Sequence, residues 1–132
     1  MKKPVEIIQE MYNSFAEGNV EGVLAMMATN IEWNEAENFP YDDGNPYIGP
    51  DAIVSGIFAR LAEEWEYFKL ADLQVMGMEN DMVLGTGRYQ AKHKKTGKEI
   101  NAQMAHLWWT KDGKVTRFQQ YADTKQVSEA VI

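Results

Sequence analysis

The sequence predicts an α+β fold in which helices pack on one face of a curved antiparallel sheet. Three observations carry that expectation. Apolar residues recur at helical spacing in the first half of the chain, they alternate at strand spacing from Tyr67 onward, and the strand segments follow one another with tight turns between them. The longest such stretch, residues 98–124, KEINAQMAHLWWTKDGKVTRFQQYADT, reads as a single hairpin. Its centre holds Asp112 and Gly113, which tolerate the positive φ of a tight turn.

Taken in order, residues 4–17 place Val5, Ile8, Tyr12 and Phe15 on one stripe, widened by Ile7 and Met11, with Pro4 suited to a first helical turn. Gly18 ends that helix. Asn19 caps a second, with Val20, Val23, Leu24 and Met27 on its buried side up to Ala28. Ile31, Trp33 and Glu35 then alternate with Glu32, Asn34 and Ala36, a strand signature. Residues 37–50, ENFPYDDGNPYIGP, hold three of the four prolines and read as a loop. Pro50-Asp51 opens a third helix, with Ile53, Ile57, Phe58, Leu61 and Trp65 toward the core and an end near Glu64. Over residues 67–78 the alternation is imperfect, which predicts a bulge. Asn80-Asp81 turns into a strand over 82–94, Thr96-Gly97 turns into the long hairpin, and residues 125–132 form a last helical turn or fray.

The hairpin is patterned on both sides. On its first arm Ile100, Ala102, Met104, His106 and Trp108 share one face, and Asn101, Gln103, Ala105, Leu107 and Trp109 the other. The second arm divides Thr116, Phe118, Gln120 and Ala122 from Val115, Arg117, Gln119, Tyr121 and Asp123. A strand with one wet side alternates apolar with polar, so these mixed faces predict cover on both sides.

Composition bounds the function. A chain of 132 residues suits one domain, spanning 1–132, and a charged fraction of 25% argues against disorder. Thirteen Lys plus Arg against twenty Asp plus Glu leave a net charge of −7, which repels nucleic acid and anionic lipid. The basic run Lys92, His93, Lys94, Lys95 and Lys98 surrounds a hairpin tip and reads as a solvated turn with His93 exposed. The absence of cysteine rules out disulfides, thiolate nucleophiles and cysteine-held metals. MKKPVEIIQE enters an amphipathic pattern without the apolar core of a signal peptide, and no run reaches the ~18 apolar residues of a membrane span, so a cytoplasmic protein is expected.

The element order, the start IIQEMYNSFAEGNVEGVLAMMATNIEW, the PYIGPDAI segment and the ending HLWWTKDGKVTRFQQYAD resemble the nuclear-transport-factor-2-like superfamily, in particular SnoaL-like proteins and ketosteroid isomerases. The resemblance covers nearly the whole chain. It implies a cystatin-like cone, with the sheet wrapped against the helices around an apolar pocket, and a homodimer through the outer sheet face. Ile100, Met104, His106, Trp108, Phe118 and Gln120 are then expected to face the pocket. Gln103, Leu107, Trp109, Arg117, Gln119 and Tyr121 are expected to meet the second subunit.

The resemblance also implies a site. The isomerases' carboxylate base falls on Glu35, their helix-borne tyrosine on Met11 with Tyr12 beside it, and their protonated aspartate on His106. That aspartate is a carboxyl kept neutral by an apolar site. Polyketide cyclases of the SnoaL-like group resemble the chain in a His near position 106, but their acid-base Asp falls on Gln120, which takes no proton at neutral pH. Asp123 faces the opposite way by parity. Limonene epoxide hydrolase is similar in fold and needs an Asp, Arg, Asp set, for which Asp72 and Arg88 are the available members.

Two readings stand side by side. In the first the protein is a cofactor-independent isomerase, cyclase or hydratase acting on an apolar carbonyl compound: Glu35 abstracts a proton next to the carbonyl, and His106 with Tyr12 hydrogen-bonds the enolate oxygen. Its pocket is lined by Met11, Phe15, Trp33, Phe58, Met104, Trp108, Phe118 and Gln120. In the second the chain is a non-catalytic ligand-binding or dimerisation module, His106 is a buried histidine satisfied by a neighbour, and Glu35 is a solvated loop carboxylate. Neither reading calls for a cofactor or metal. The acidic residues Glu32, Glu35, Glu37, Asp42 and Asp43 lack the spacing of a calcium loop.

Overall fold

The computed structural model describes residues 2–132. Helix α1 spans Pro4–Ala16 and α2 Val20–Ala25; strand β1 follows at Met27–Asn34. A 3-10 turn at Asp42–Gly44 and a two-residue strand β2, Tyr47–Ile48, interrupt the loop. Helix α3, Pro50–Ile53, runs through a π-helical turn at Val54–Phe58 into α4, Ala59–Glu64. Strands β3, Trp65–Gly77, β4, Met82–His93, β5, Glu99–Lys111, and β6, Lys114–Ala122, precede a terminal helix α5, Thr124–Ala130.

The strands form one six-stranded sheet in the order β2-β1-β6-β5-β4-β3. The meander β3 to β6 is antiparallel, and β1 joins β6 in parallel, with Trp33 opposite Phe118. This is the α+β architecture expected, with one parallel pair, β1 with β6, inside the antiparallel edge pair of β2 and β1. Ile7, Ile8, Met11 and Tyr12 are the buried stripe of α1, and they pack on the sheet face that carries Val83, Tyr89, Ala102 and Phe118. Burying each aliphatic side chain contributes on the order of 1.5–3 kcal/mol, which exceeds any single cap or turn.

Several boundaries differ from expectation for physical reasons. Helix α2 stops at Ala25 because the chain is claimed by strand pairing: Val115 N–H donates to the Met26 carbonyl and Lys114 Nζ to the Ala25 carbonyl, at 2.8 and 2.6 Å. Strand β2 was not anticipated, since two residues carry too little alternation to read. The expected β3 bulge is present, at Asp72 with φ 54°, where the register against β4 shifts between Ala71 and Gln74. A second bulge follows the tip of the long hairpin, where pairing shifts between Trp109 and Thr110. It turns Val115 into the core, whereas parity alone placed it outside.

His93 is also a correction. It lies at the end of β4 with 7% exposure, its ring edge-on to Trp65 at 4.9 Å, because the inward alternation of β4 continues to its last residue. On the outer sheet face Arg117 stacks over Trp109 at 4.7 Å and Tyr121 is 53% exposed. No described helix is long and apolar enough to cross a membrane.

Candidate functional site

Four strands and a helix converge on one point. Strand β5 runs unbulged from Ile100 to Trp109, so its inward alternation brings His106 and Trp108 to the concave face. Register then sets their neighbours: His106 pairs with Gly85 on β4 and Gln120 on β6, and Trp108 pairs with Phe118. Tyr12 descends from α1 onto this surface. It reaches that far because Gly85 has no side chain; a Cβ there would stand 2.2 Å from the Tyr12 hydroxyl.

The result is a chain of buried hydrogen bonds. Tyr12 Oη lies 2.8 Å from His106 Nδ1, and Tyr89 Oη lies 2.6 Å from His106 Nε2. Trp108 Nε1 donates to Tyr12 Oη at 3.0 Å, and Gln120 Nε2 donates to Tyr89 Oη at 2.8 Å. The Gln120 amide is oriented by the Ala36 N–H, which can only donate and does so to Gln120 Oε1 at 3.0 Å. Among the described residues no buried side-chain nitrogen or oxygen lacks a partner.

Glu35 stands beside this chain and is buried, with 3% exposure, contrary to the solvated loop position considered for it. The loop after β1 folds back over it. Asn45 clamps its backbone by accepting the Glu35 N–H and donating to the Glu35 carbonyl, both at 2.9 Å. Trp33 Nε1 donates to Glu35 Oε2 at 2.9 Å. Burial pushes the Glu35 carboxyl up to about 8, a rise that the Trp33 hydrogen bond and the charge of Arg60 only partly oppose. At neutral pH this carboxyl is mostly protonated.

Burial acts on His106 in the opposite direction. Its pKa falls to about 3, because the charged ring would lose its hydration and no carboxylate contacts it. The imidazole expected to titrate near neutrality is instead neutral, with both nitrogens engaged by phenols. Desolvation raises the pKa of both Tyr12 and Tyr89, so both hydroxyls keep their protons.

These groups line a cavity of about 70 Å³. Of the residues expected there, Met11, Tyr12, Phe15, Trp33, Glu35, Phe58, His106, Trp108, Phe118 and Gln120 form its wall. Met104 does not; its methyl group packs 3.2 Å from where a Gly87 Cβ would stand, filling space next to the β3 bulge beside Leu73. Tyr89, Phe39, Phe68 and Leu61 line the cavity and were not singled out from sequence. A wider chamber of about 260 Å³ adjoins it toward Gly18, Val20 and Tyr67, sharing Phe15, Val23, Phe58, Leu61 and Phe68 as common wall.

The remaining candidates lie elsewhere. Asp72 and Arg88 border a shallow groove on the outer sheet face, where Arg88 Nε donates to Asn101 Oδ1 at 2.8 Å. Asp123 caps α5 by accepting the Gln126 N–H. In the acidic run, Asp42 accepts the Asn38 N–H at 2.8 Å, and Asp43 pairs with Arg60 at 2.8 Å. Among the described residues no three His, Asp or Glu side chains converge as a metal site.

Comparison with known proteins places this geometry. The family model described as a SnoaL-like domain matches residues 8–118. An NTF2-like protein of Burkholderia thailandensis E264 is 32% identical, with a TM-score of 0.93 over 100% of this chain and 99% of that one. TerC, crystallised with polyporic acid, is similar at 24% identity and TM-score 0.84, covering 97% of each chain. A protein of Pseudomonas putida KT2440 described as a candidate polyketide cyclase shares the fold at 14% identity and TM-score 0.84 over 100% of both chains. Comparison with curated proteins returns no match. The matched family model and the end-to-end likeness in sequence and fold to the Burkholderia thailandensis protein lead to one assignment: the chain belongs to the SnoaL-like family within the NTF2-like superfamily.

Proposed function

We propose that this protein binds an apolar carbonyl compound and transfers a proton within it, as a cofactor-independent isomerase, cyclase or hydratase. One observation carries the reading: a buried carboxyl, Glu35, and two buried phenols, Tyr12 and Tyr89, line the same otherwise apolar cavity. In its ionised form Glu35 removes a proton from the carbon next to the carbonyl. The C–H electron pair forms a carbon–carbon double bond as the carbonyl π pair moves onto the oxygen, a phenol hydroxyl hydrogen-bonds the resulting enolate, and the proton held on Glu35 returns to another carbon of the same molecule. A carboxyl poised near 8 is a stronger base than an ordinary one, at the cost of being only about one-tenth ionised at pH 7. His106 holds the phenols in place and is itself neither donor nor base to the substrate.

The inner cavity of about 70 Å³ has room for the reacting end of a ligand only, so a larger body extends past Phe15 and Phe58 into the wider chamber. A panel of enones and polyketide-like ketones, assayed with wild type, Glu35→Gln and the Tyr12→Phe/Tyr89→Phe double variant, tests the reading. Turnover that falls in both variants supports it; equal turnover of every active substrate by all three proteins refutes it. The second reading, a non-catalytic binding module, is favoured by Gln120, whose amide is committed to Ala36 and Tyr89 at the position where the cyclases carry an acid-base Asp. Ligand binding without turnover of any panel member would select it. The outer face around Trp109, Arg117 and Tyr121 is proposed as the seat of a second subunit.

A further inference from the structure

The hydrogen-bond chain around His106 contains one proton more than its own acceptors can use. A hydroxyl has one proton and two lone pairs, and a neutral imidazole has one N–H and one bare nitrogen. Trp108 Nε1 can only donate, so it occupies a lone pair of Tyr12 Oη at 3.0 Å. Gln120, held by Ala36, likewise occupies a lone pair of Tyr89 Oη at 2.8 Å. The imidazole sits between the two hydroxyls, 2.8 Å from one and 2.6 Å from the other. It can accept a proton from only one of them and must donate its N–H to the other.

The phenol that receives the ring N–H keeps its own proton unused. Among the described residues neither hydroxyl has a further acceptor within hydrogen-bond distance, and both Tyr12 and Tyr89 line the cavity. The geometry points to a tautomer-coupled pair of donors: the ring proton of His106 selects which of Tyr12 and Tyr89 offers its hydroxyl to a carbonyl or enolate oxygen in the cavity. With the proton on Nε2 the free donor is Tyr89; with the proton on Nδ1 it is Tyr12. Exchange between them passes the Tyr12 proton to Nδ1 and the Nε2 proton to Tyr89 Oη, while Tyr89 releases its cavity-facing proton and Tyr12 takes one up. A protic carrier such as water in the cavity closes the relay, and the net charge is unchanged. His106 is thus a positioning residue that sets where along the cavity wall an oxygen is recognised.

Two features make the arrangements near-equal. Each phenol receives one neutral N–H donor, an indole on one side and an amide on the other, and each approaches a different nitrogen of the same ring. The neutrality of the ring follows from its surroundings, since its contacts are hydroxyls and aromatic faces, Phe118 among them at 4.9 Å.

Nitrogen-15 spectra of the ligand-free protein test this without any assumption about substrate, with the His106 ring signals assigned by their loss in His106→Gln. Tyr89→Phe leaves only Tyr12 to pair with, and a free hydroxyl turned into the cavity is better than a ring N–H aimed at a phenyl ring, so the Nδ1–H tautomer is expected. Tyr12→Phe is expected to give the opposite tautomer, Nε2–H. Should either variant fail to fold, Trp108→Phe and Gln120→Met bias the ring toward Nδ1–H and Nε2–H respectively, because a hydroxyl that accepts no hydrogen bond donates less strongly. The same tautomer in both members of a variant pair, or a doubly protonated ring in wild type at pH 7, overturns the inference. A second arm uses 1-tetralone, a flat ketone that only accepts hydrogen bonds, and rests on the proposed function. The infrared carbonyl band of the bound ketone is expected to be lowered in wild type and in either single Phe variant, and restored in the double variant. A band that stays lowered in the double variant also overturns it, whereas failure of 1-tetralone to bind contradicts the proposed function and leaves the tautomer test to decide the inference.

Discussion

Two aromatic and polar networks flank the loop after β1, and they differ in how they handle charge. The inner one, Tyr12, His106, Tyr89 and Gln120 with Glu35 beside it, is sealed among aromatic rings and carries no charge at neutral pH. The outer one braces the loop against α4. Tyr41 Oη donates to Glu64 Oε1 at 2.7 Å and accepts from Trp65 Nε1 at 3.0 Å, while the Arg60 guanidinium lies 4.2 Å over the Tyr41 ring and pairs with Asp43. Here the charges persist, and Arg60 holds the Asp43 carboxyl below its usual range. The same residue types thus serve two ends. Near solvent, charge tethers a loop at modest cost; in the interior, burial strips it and turns His106 and Glu35 into neutral hydrogen-bonding groups.

Substitutions in the inner network should therefore cost far more than in the outer. His106→Leu leaves two buried phenols each short of a partner and is expected to lower stability by about 3 kcal/mol in denaturant titration. Gly85→Ala keeps every polar group but places a methyl 2.2 Å from the Tyr12 hydroxyl, inside a packed array. It should cost about 1–3 kcal/mol and abolish the Tyr12 to His106 hydrogen bond, visible as loss of the protected hydroxyl proton by NMR.

The pH course of stability sharpens the contrast further. His106 has a folded pKa near 3 against 6.5 unfolded, so the unfolded chain binds more protons in that window and stability rises with pH across it. Glu35 has a folded pKa near 8 against 4.5 unfolded, so the folded chain binds more protons and stability falls as pH rises from about 4.5 to about 8. From these two groups the curve climbs to about pH 4.5, stays level to about 6.5 where the slopes cancel, and then declines to about 8. Glu35→Gln is expected to remove the decline; a decline that persists in that variant contradicts the assignment. At the outer network Asp43→Asn should cost less than about 1 kcal/mol, since its carboxyl is well exposed and screened.

How much of this could be read in advance depended on how local the determining interactions are. The stripe of α1, the Asp112-Gly113 turn and the β3 bulge follow from spacing within one element, and they were legible, whereas the mixed faces of β5 left its inward side to the family resemblance. His93 and Val115 were misplaced because one needs the end of β4 and the packing of Trp65, and the other a bulge set by the partner strand. Tyr89 and Gly85 were missed for the same reason: their importance arises only when register sets Gly85 opposite His106 and α1 lowers Tyr12 into the gap. A glycine pair, Gly85 and Gly87, within a strand was the available signal of close approach. Glu35 was named as a candidate through the family resemblance, but its burial depends on the loop that Asn45 folds over it.

The central claim is that the buried Glu35 carboxyl moves protons to and from carbon in this cavity. Incorporation of solvent deuterium next to the carbonyl of 1-tetralone, followed by proton NMR from pH 5 to 9, measures that directly. The account predicts exchange above the buffer rate that rises with pH through about 8 and falls by roughly 10²–10⁴-fold in Glu35→Gln. Exchange at the buffer rate with the ketone bound, or equal exchange in wild type and Glu35→Gln, would contradict it.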